Sequence, residues 1–369
     1  MKDKSKCNTL TLLTTPCMSG GTPAKLFQLV RFSDYNIISY FYSEGHDPAA
    51  YDEYFQRFAE CAQAHDGRHC RQSFFKVLKE VLRIVDENDV KVIHSYFSFD
   101  TAVCAAVKML RPKVKFVVSF VGCTPIASRL KRFIVSTTLR FADSYIYVSK
   151  NALAQKFEEF PFLRKRRFSV VYNGADERGN MHALELAPGF RCIMIGGLLP
   201  RKNMLLLVEM MRVLVHEMGY KGISLVTIGD DGKDPDNVRE LIKQYDLSDY
   251  VGCIGYHDDV GGAYAQSQVC LHSAHSEAFG ISVAEAMFAG LPVIGAAGTA
   301  MPELIEEGVT GYILPLDDPR AWAEKVAYLY DHGDVRAEMG RQGRLRAEKC
   351  FSVERFIAEH DAVYDQVLE

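Results

Sequence analysis

The sequence predicts an α/β protein with parallel sheets, divided into two domains. Three observations carry that expectation. From Cys7 to about Tyr172, short apolar runs alternate with amphipathic stretches, the rhythm of buried parallel strands covered by helices on both faces. A second series of the same kind starts at Phe190. Between the two, residues 177–189 (ERGNMHALELAPG) have neither rhythm, and 369 residues suffice for two full cores. The expected boundaries are a first domain over 1–178, a linker over 179–189 and a second domain over 190–352.

In the first domain, Leu10–Thr14, Asn36–Phe41, Val90–Ser95, Lys115–Ser119, Ser144–Val148 and Phe168–Tyr172 read as strands. Pro23–Phe32, Ser73–Asp86, Phe99–Leu110, Ala127–Phe141 and Lys150–Phe160 read as helices. In the second, strands are expected over Phe190–Ile195, Ser224–Ile228, Val251–Ile254, Val269–Ser273, Pro292–Ile294 and Gly311–Pro315. Helices are expected after Asn203, from Gly280 to Gly290, and over Ala321–His332, Val335–Lys349 and Val353–Leu368.

Hydrophobic content of 48% and charged content of 24% fit a globular protein. No stretch approaches 18 uninterrupted apolar residues, so no span of a membrane is expected. The opening MKDKSKCNTLTLLTTP is too short and Thr-rich for a signal peptide, and the ten cysteines show no C-x-x-C pairing. A reducing cytoplasm is the expected compartment. Cys61, His65 and His69 would share one helical face suited to zinc, but Asp66-Gly67 interrupts the helix, so no metal site is expected.

The net charge of -4 hides an asymmetry. Residues 1–170 hold 26 Lys+Arg against 16 Asp+Glu, and the remainder 17 against 31. Lys108 to Arg167 carries 14 of the basic residues, which attract nucleic acid, anionic lipid or an anionic substrate alike. Nucleic acid fits least, because the region lacks interleaved aromatics or a reading motif. Within it, IASRLKRFIVSTTLRF (126–141) places Leu130, Phe133, Ile134, Thr137 and Phe141 at helical spacing among Arg129, Lys131, Arg132 and Arg140. That pattern suits an ordinary core-facing helix. With Arg164-Lys165-Arg166-Arg167 nearby, it also suits an anionic membrane surface.

The most informative stretch is Val269–Pro302. Glu277 lies in a turn and Glu285 in the helix that opens near Gly280, with Ala278 and Phe279 between. A helix N-terminus offers unpaired N–H groups and the positive end of a dipole to a phosphate, here from Ala278, Phe279, Gly280, Ile281 and Ser282. A nearby carboxylate can grip two vicinal ribose hydroxyls. A ligand-free alternative stands beside this: Ser282-x-x-Glu285 is also a capping box. Elsewhere, Gly20 and Gly21 permit close approach after the first strand, and His94 and Tyr96 close another strand. A lone histidine is more often structural.

Glu277-Ala-Phe-Gly-Ile-Ser-Val-Ala-Glu285, followed by Ala286, Gly290, Pro292 and Val293, resembles the E-x7-E signature of family 4 retaining glycosyltransferases. The resemblance implies the GT-B fold, in which two Rossmann-like domains face each other across a cleft and a C-terminal helix, here 353–369, crosses back to the first. It covers the second domain well and the first in outline, including Tyr172-Asn173-Gly174-Ala175-Asp176 at the end of the first domain. It also implies roles. Gly20 and Gly21 would face the donor sugar, and Gly197 with Arg201 and Lys202 would clamp a diphosphate. Gly229 and Asp230 would belong to the nucleotide-binding side, Tyr256 would border the nucleobase, and Glu285 would hold the ribose. Glu277, with Arg201 and Lys202, would act at the reacting centre. His94, Tyr96 and Gly122 would lie on the acceptor side. Where many relatives have His before that glycine, this chain has Val121.

The expected function is therefore transfer of a sugar, with retention, from a UDP-linked donor to a glycan, lipid-linked or small-molecule acceptor in cell-envelope polysaccharide synthesis. No metal or other cofactor is expected, since the cations replace a D-x-D metal clamp. The expected partners are the nucleotide sugar, the acceptor and an anionic membrane surface. Two alternatives remain open: a UDP-sugar 2-epimerase of the same fold, and a non-catalytic scaffold.

Overall fold

Strands that are buried on both faces read as near-continuous apolar runs, and VIHS, KFVVSF, SYIY, VCLH and VIGA are predominantly apolar. The computed structural model describes residues 6–13, 21–42, 48–70, 73–175, 189–229, 235–257 and 260–369. They form two units, Met1–Gly174 with Val353–Glu369, and Ala175–Ser352.

The first unit runs β1 (Lys6–Leu13), α1 (Gly21–Phe32), β2 (Tyr35–Phe41), α2 (Pro48–Cys61), β3 (Ala64–Asp66), α3 (Phe74–Glu87), β4 (Val92–Ser95), α4 (Ser98–Leu110), β5 (Lys115–Phe120), α5 (Arg129–Leu139), β6 (Ser144–Tyr147), α6 (Lys150–Glu159) and β7 (Phe168–Val170). All strand pairs are parallel, in the order β3-β2-β1-β4-β5-β6-β7. One core holds Val77, Val81, Ile84, Val103 and Phe116. The other holds Leu26, Leu29, Tyr51 and Phe58, together with Phe356, Tyr364 and Val367 of the final helix.

That return is fixed by polar bonds as well as packing. Ser33 Oγ donates to Asp361 at 2.5 Å, and Tyr35 Oη and Lys6 Nζ donate to Asp365 at 2.6 and 2.8 Å. Arg355 donates to the Tyr172 carbonyl at 2.6 Å. At Gly174 a Cβ would meet Phe356 Cβ and Val353 Cα at 3.0 Å, so only glycine lets the helix approach this closely.

The second unit runs β8 (Phe190–Ile195), α7 (Met204–Arg212), β9 (Ile223–Ile228), α8 (Pro235–Gln244), β10 (Val251–Cys253), α9 (Gly261–Ala265), β11 (Val269–His272), α10 (Ile281–Phe288), β12 (Val293–Ala296), α11 (Met301–Leu304), β13 (Gly311–Leu314), α12 (Pro319–Asp331) and α13 (Gly333–Cys350). The final helix, α14 (Val353–Leu368), belongs to the first unit. The second sheet is parallel, in the order β10-β9-β8-β11-β12-β13. Its core includes Trp322, whose indole N–H donates to the Pro315 carbonyl at 2.7 Å.

The sequence left α2, β3, α8, α9 and α11 unassigned. Thr14, Gly20, Asp176, most of the expected linker and Asp230 lie outside the described residues. Cys61, His65 and His69 are split between the end of α2, β3 and a 3₁₀ turn at Arg68–Cys70. Among the described residues no group of three or more His, Cys, Asp or Glu is placed to hold a metal. No helix of the described residues is long and apolar enough to cross a membrane.

Candidate functional site

In the second sheet the strand order reverses between β8 and β11, both of which start crossovers to opposite sides. Open α/β sheets bind ligands at that reversal, beyond the carboxyl ends of the strands. The loops leaving β8 and β11 are stitched together there. The His275 N–H donates to the Arg201 carbonyl at 2.9 Å, and Ser273 Oγ donates to the Lys202 carbonyl at 2.8 Å. These bonds set Lys202 beside Glu277, 75 residues further along the chain.

Lys202 Nζ donates to Glu277 Oε2 at 2.9 Å, with side chains only 11% and 18% exposed. His272 Nε2 lies 3.5 Å from the same oxygen. At that separation the histidine makes an electrostatic contact rather than a formed hydrogen bond. Burial would raise the Glu277 carboxyl, but His272 and Lys202 outweigh it and hold the group well below the usual carboxylate range. The acid is therefore ionised and already paired. Lys202 and Glu277, expected on the phosphate and the sugar, are paired with each other here, because opposite charges largely out of water attract strongly.

Glycines shape the floor. A Cβ on Gly196 would lie 3.3–3.6 Å from the Lys202 methylenes, and one on Gly229 would lie 2.4 Å from Gly196 C and Gly197 N. The Gly229 N–H donates to the Gly255 carbonyl at 2.9 Å. Gly197, Gly229 and the turn before Tyr256 thus gather at the ends of β8, β9 and β10. Tyr256 is half exposed, so core packing does not account for it. Arg201 is exposed.

The capping-box alternative is corrected by the structure. Gly280, at φ +99°, is the N-cap of α10, and its carbonyl accepts from the Val283 and Ala284 N–H groups at 3.0 and 3.2 Å. Ser282 is inside the helix and caps nothing. The Ile281 and Ser282 N–H groups precede the first intrahelical donor, and the side chains of Ala278 and Phe279 in the preceding turn are buried. Helix α10 is buried almost all round and ends in a Schellman turn, with Gly290 donating to Met287 and Leu291 to Ala286, both at 3.0 Å. Glu285 is buried within it. Tyr264 Oη donates to the Ser282 carbonyl at 2.8 Å and lies 3.4 Å from Glu285 Oε2.

In the first unit, His94 is fully buried. Its Nδ1 is 2.8 Å from Tyr364 Oη and its Nε2 2.8 Å from Ser119 Oγ, while Tyr96 Oη approaches Nδ1 at 3.3 Å. This network places His94 and Tyr96, expected on the acceptor side, in the core that receives α14. Gly122 is exposed with open space where a Cβ would sit, and Gly21 begins α1 at the surface. Sequence reasoning missed His272 and Tyr264. The signal for His272 was a polar residue closing the otherwise apolar strand VCLH.

Residues 188–346 match the family model described as glycosyl transferases group 1. The chain is 24% identical over 307 residues to N-acetyl-alpha-D-glucosaminyl L-malate synthase of Bacillus anthracis, covering 78% of each. These findings support a group 1 glycosyltransferase. Over 170 residues, 44% of this chain and 40% of the relative, it is 29% identical to trehalose synthase of Pyrococcus horikoshii. The structure of Anabaena Alr3699/HepE in complex with UDP superposes with a TM-score of 0.80 at 16% identity, covering 98% of this chain and all of that one. Sucrose-phosphate synthase from Thermosynechococcus elongatus gives 0.78 at 17%, covering 98% and 99%. These likenesses show the GT-B fold. The group 1 match contains Lys202, His272, Glu277 and Glu285.

Proposed function

We propose that the protein transfers a sugar from a UDP-linked donor to a glycan, lipid-linked or small-molecule acceptor, with retention of configuration, in the synthesis of cell-envelope polysaccharide. The observation that carries the reading is the Lys202–Glu277 pair at the strand-order reversal, beside the N-terminus of α10 and inside the group 1 match. The diphosphate of the donor would draw Lys202 and the amides of Ala278–Ser282, with exposed Arg201 adding charge. Charge grows on the diphosphate as its bond to the anomeric carbon breaks, so fixed cations and amide dipoles lower the barrier. The acceptor oxygen bonds to the same face of that carbon, and its proton passes to the leaving phosphate. No side chain is needed as general base, and no metal or other cofactor is assigned. Glu285 would hold the ribose, and Glu277 the donor sugar.

A panel of UDP sugars tests this by product analysis with and without EDTA. An α donor should give an α product, and EDTA should leave the rate within about twofold, because cations already neutralise the leaving group. A β product removes retention, and strict metal dependence removes the cationic clamp. A mass-neutral change of the free UDP sugar would favour the 2-epimerase, and absence of both transfer and hydrolysis the scaffold.

The reading extends to an anionic membrane surface reached from the cytoplasmic side. Helix α5 buries Val135 and Leu139, while Leu130 and Phe133, each 70% exposed, and Ile134 face outward. Arg129, Arg132 and Arg140 line a surface groove with Phe133, Phe160 and Phe162. An outward apolar stripe among arginines has the pattern of an interfacial helix. Vesicles containing phosphatidylglycerol should co-sediment the protein, neutral vesicles should not, and Leu130→Ser with Phe133→Ser should reduce binding about tenfold or more. Equal recovery on both vesicle types sinks the idea.

A further inference from the structure

Two side chains converge on one oxygen of Glu277, and they are not equivalent. Lys202 Nζ is bonded to Oε2 at 2.9 Å, whereas His272 Nε2 waits at 3.5 Å. His272 is 4% exposed, and among the described residues neither of its ring nitrogens makes a hydrogen bond. A buried imidazole with both nitrogens unmatched is unfavourable. Its place at the end of β11, five residues before Glu277, is held by the strand and by the Ser273 bond to the Lys202 carbonyl.

A nucleotide diphosphate entering this corner competes with Glu277 for Lys202. The ammonium is a mobile point charge on a flexible stem, and a diphosphate carries more charge than one carboxylate. As Lys202 turns to the phosphate, Glu277 loses its formed ion pair while remaining largely buried, a state that disfavours binding unless another donor takes over. His272 is the side chain already aimed at that oxygen, and closing from 3.5 Å to about 2.8 Å would form a charge-assisted hydrogen bond.

We propose that His272 is a positioning residue that receives the Glu277 carboxylate when Lys202 transfers to the donor's diphosphate, and so keeps Glu277 aimed at the sugar. The proposal rests on the glycosyltransferase reading above and adds a partner exchange to it. The exchange would give the buried imidazole a hydrogen-bond partner.

The test uses UDP as the probe, with His272→Phe and His272→Gln as variants. UDP should shift the side-chain ¹⁵N resonances of His272 in the wild-type protein. His272→Phe removes two unmatched polar atoms, so its unfolding temperature should hold or rise, while its UDP affinity falls about tenfold and kcat about 100-fold. His272→Gln keeps a donor near the Nε2 position and should recover kcat to within about fivefold of wild type. A purely structural role predicts the opposite for His272→Phe: lower stability with kcat unchanged. Wild-type UDP binding that leaves the His272 resonances unmoved, or normal turnover by His272→Phe, overturns the exchange and leaves the transferase reading intact. A wild-type protein that neither binds UDP nor turns over a UDP sugar removes both.

Discussion

Replacing Lys202 or Glu277 by alanine should each cut sugar transfer by about 10²–10³-fold or more, since each removes a charge placed where the reaction needs it. The two variants should differ in other respects. Lys202→Ala deprives the diphosphate of its cation and should weaken UDP binding. Glu277→Ala releases Lys202 from its 2.9 Å ion pair, so UDP should bind as well as before or more tightly, although turnover is lost. Both side chains are largely out of water, so removing one strands the other. Each single variant should lose about 2–3 kcal/mol, and Lys202→Met with Glu277→Gln should lose less than either alone. Chemical unfolding measures the three differences, and isothermal titration measures UDP binding. Near-normal turnover in either alanine variant would break the assignment.

The sign of the pH effect follows from the same pair. Glu277 has a folded-state value below its ordinary 4.5, so the unfolded chain binds the proton more readily. The stabilisation is complete above pH 4.5 and erodes as pH falls below it toward the depressed folded value. The stability gap between wild type and Glu277→Gln should therefore be constant near neutrality and shrink in acid.

Gly229→Ala should be the most damaging of the small substitutions in the second unit. Its Cβ would fall 2.4 Å from two backbone atoms of Gly196–Gly197 and 2.6 Å from the Gly196 carbonyl oxygen. Backbone cannot swing aside as a side-chain tip can. The Gly196 segment is also tied to the neighbouring strand by its N–H to the Ile228 carbonyl at 2.8 Å and by Thr227 Oγ1 at 3.3 Å. Relief requires pushing the 196–202 loop outward, and Lys202 with it. A loss of about 3 kcal/mol is expected, or about 6–12 °C in the unfolding temperature of a unit this size, together with loss of UDP binding. Gly122→Ala, with nothing within 4 Å of the added carbon, serves as the control and should change nothing. An unshifted melting curve for Gly229→Ala would mean that the two turns are not nested.

The elements that were legible in the sequence are those with one dominant physical signal. Residues 353–368 were expected as a helix and form one, because the apolar positions recur on a single face. The buried strands were legible as short apolar runs. Helix α2 and strand β3 were not, since 48–66 mixes Tyr and Phe with Asp, Glu and Gln and shows no clean period. Helix α9, GGAYA, holds two glycines that disfavour helix, and tertiary packing supplies what propensity withholds. At the site, Lys202 and Glu277 could be singled out by their turns, but not their mutual bond, which joins positions 75 apart. The capping box offered as an alternative does not form, because Gly280, two residues earlier, adopts the φ of +99° that starts the helix there.

The dependence of the first unit on α14 reverses the order of completion relative to the order of synthesis. Strand β1 precedes α14 by more than 300 residues, yet the sheet face that α1 and α2 begin to cover is completed only when Phe356, Tyr364 and Val367 have been translated. The later-made unit, self-contained over 175–352, can finish folding while the earlier one still waits with an open apolar flank.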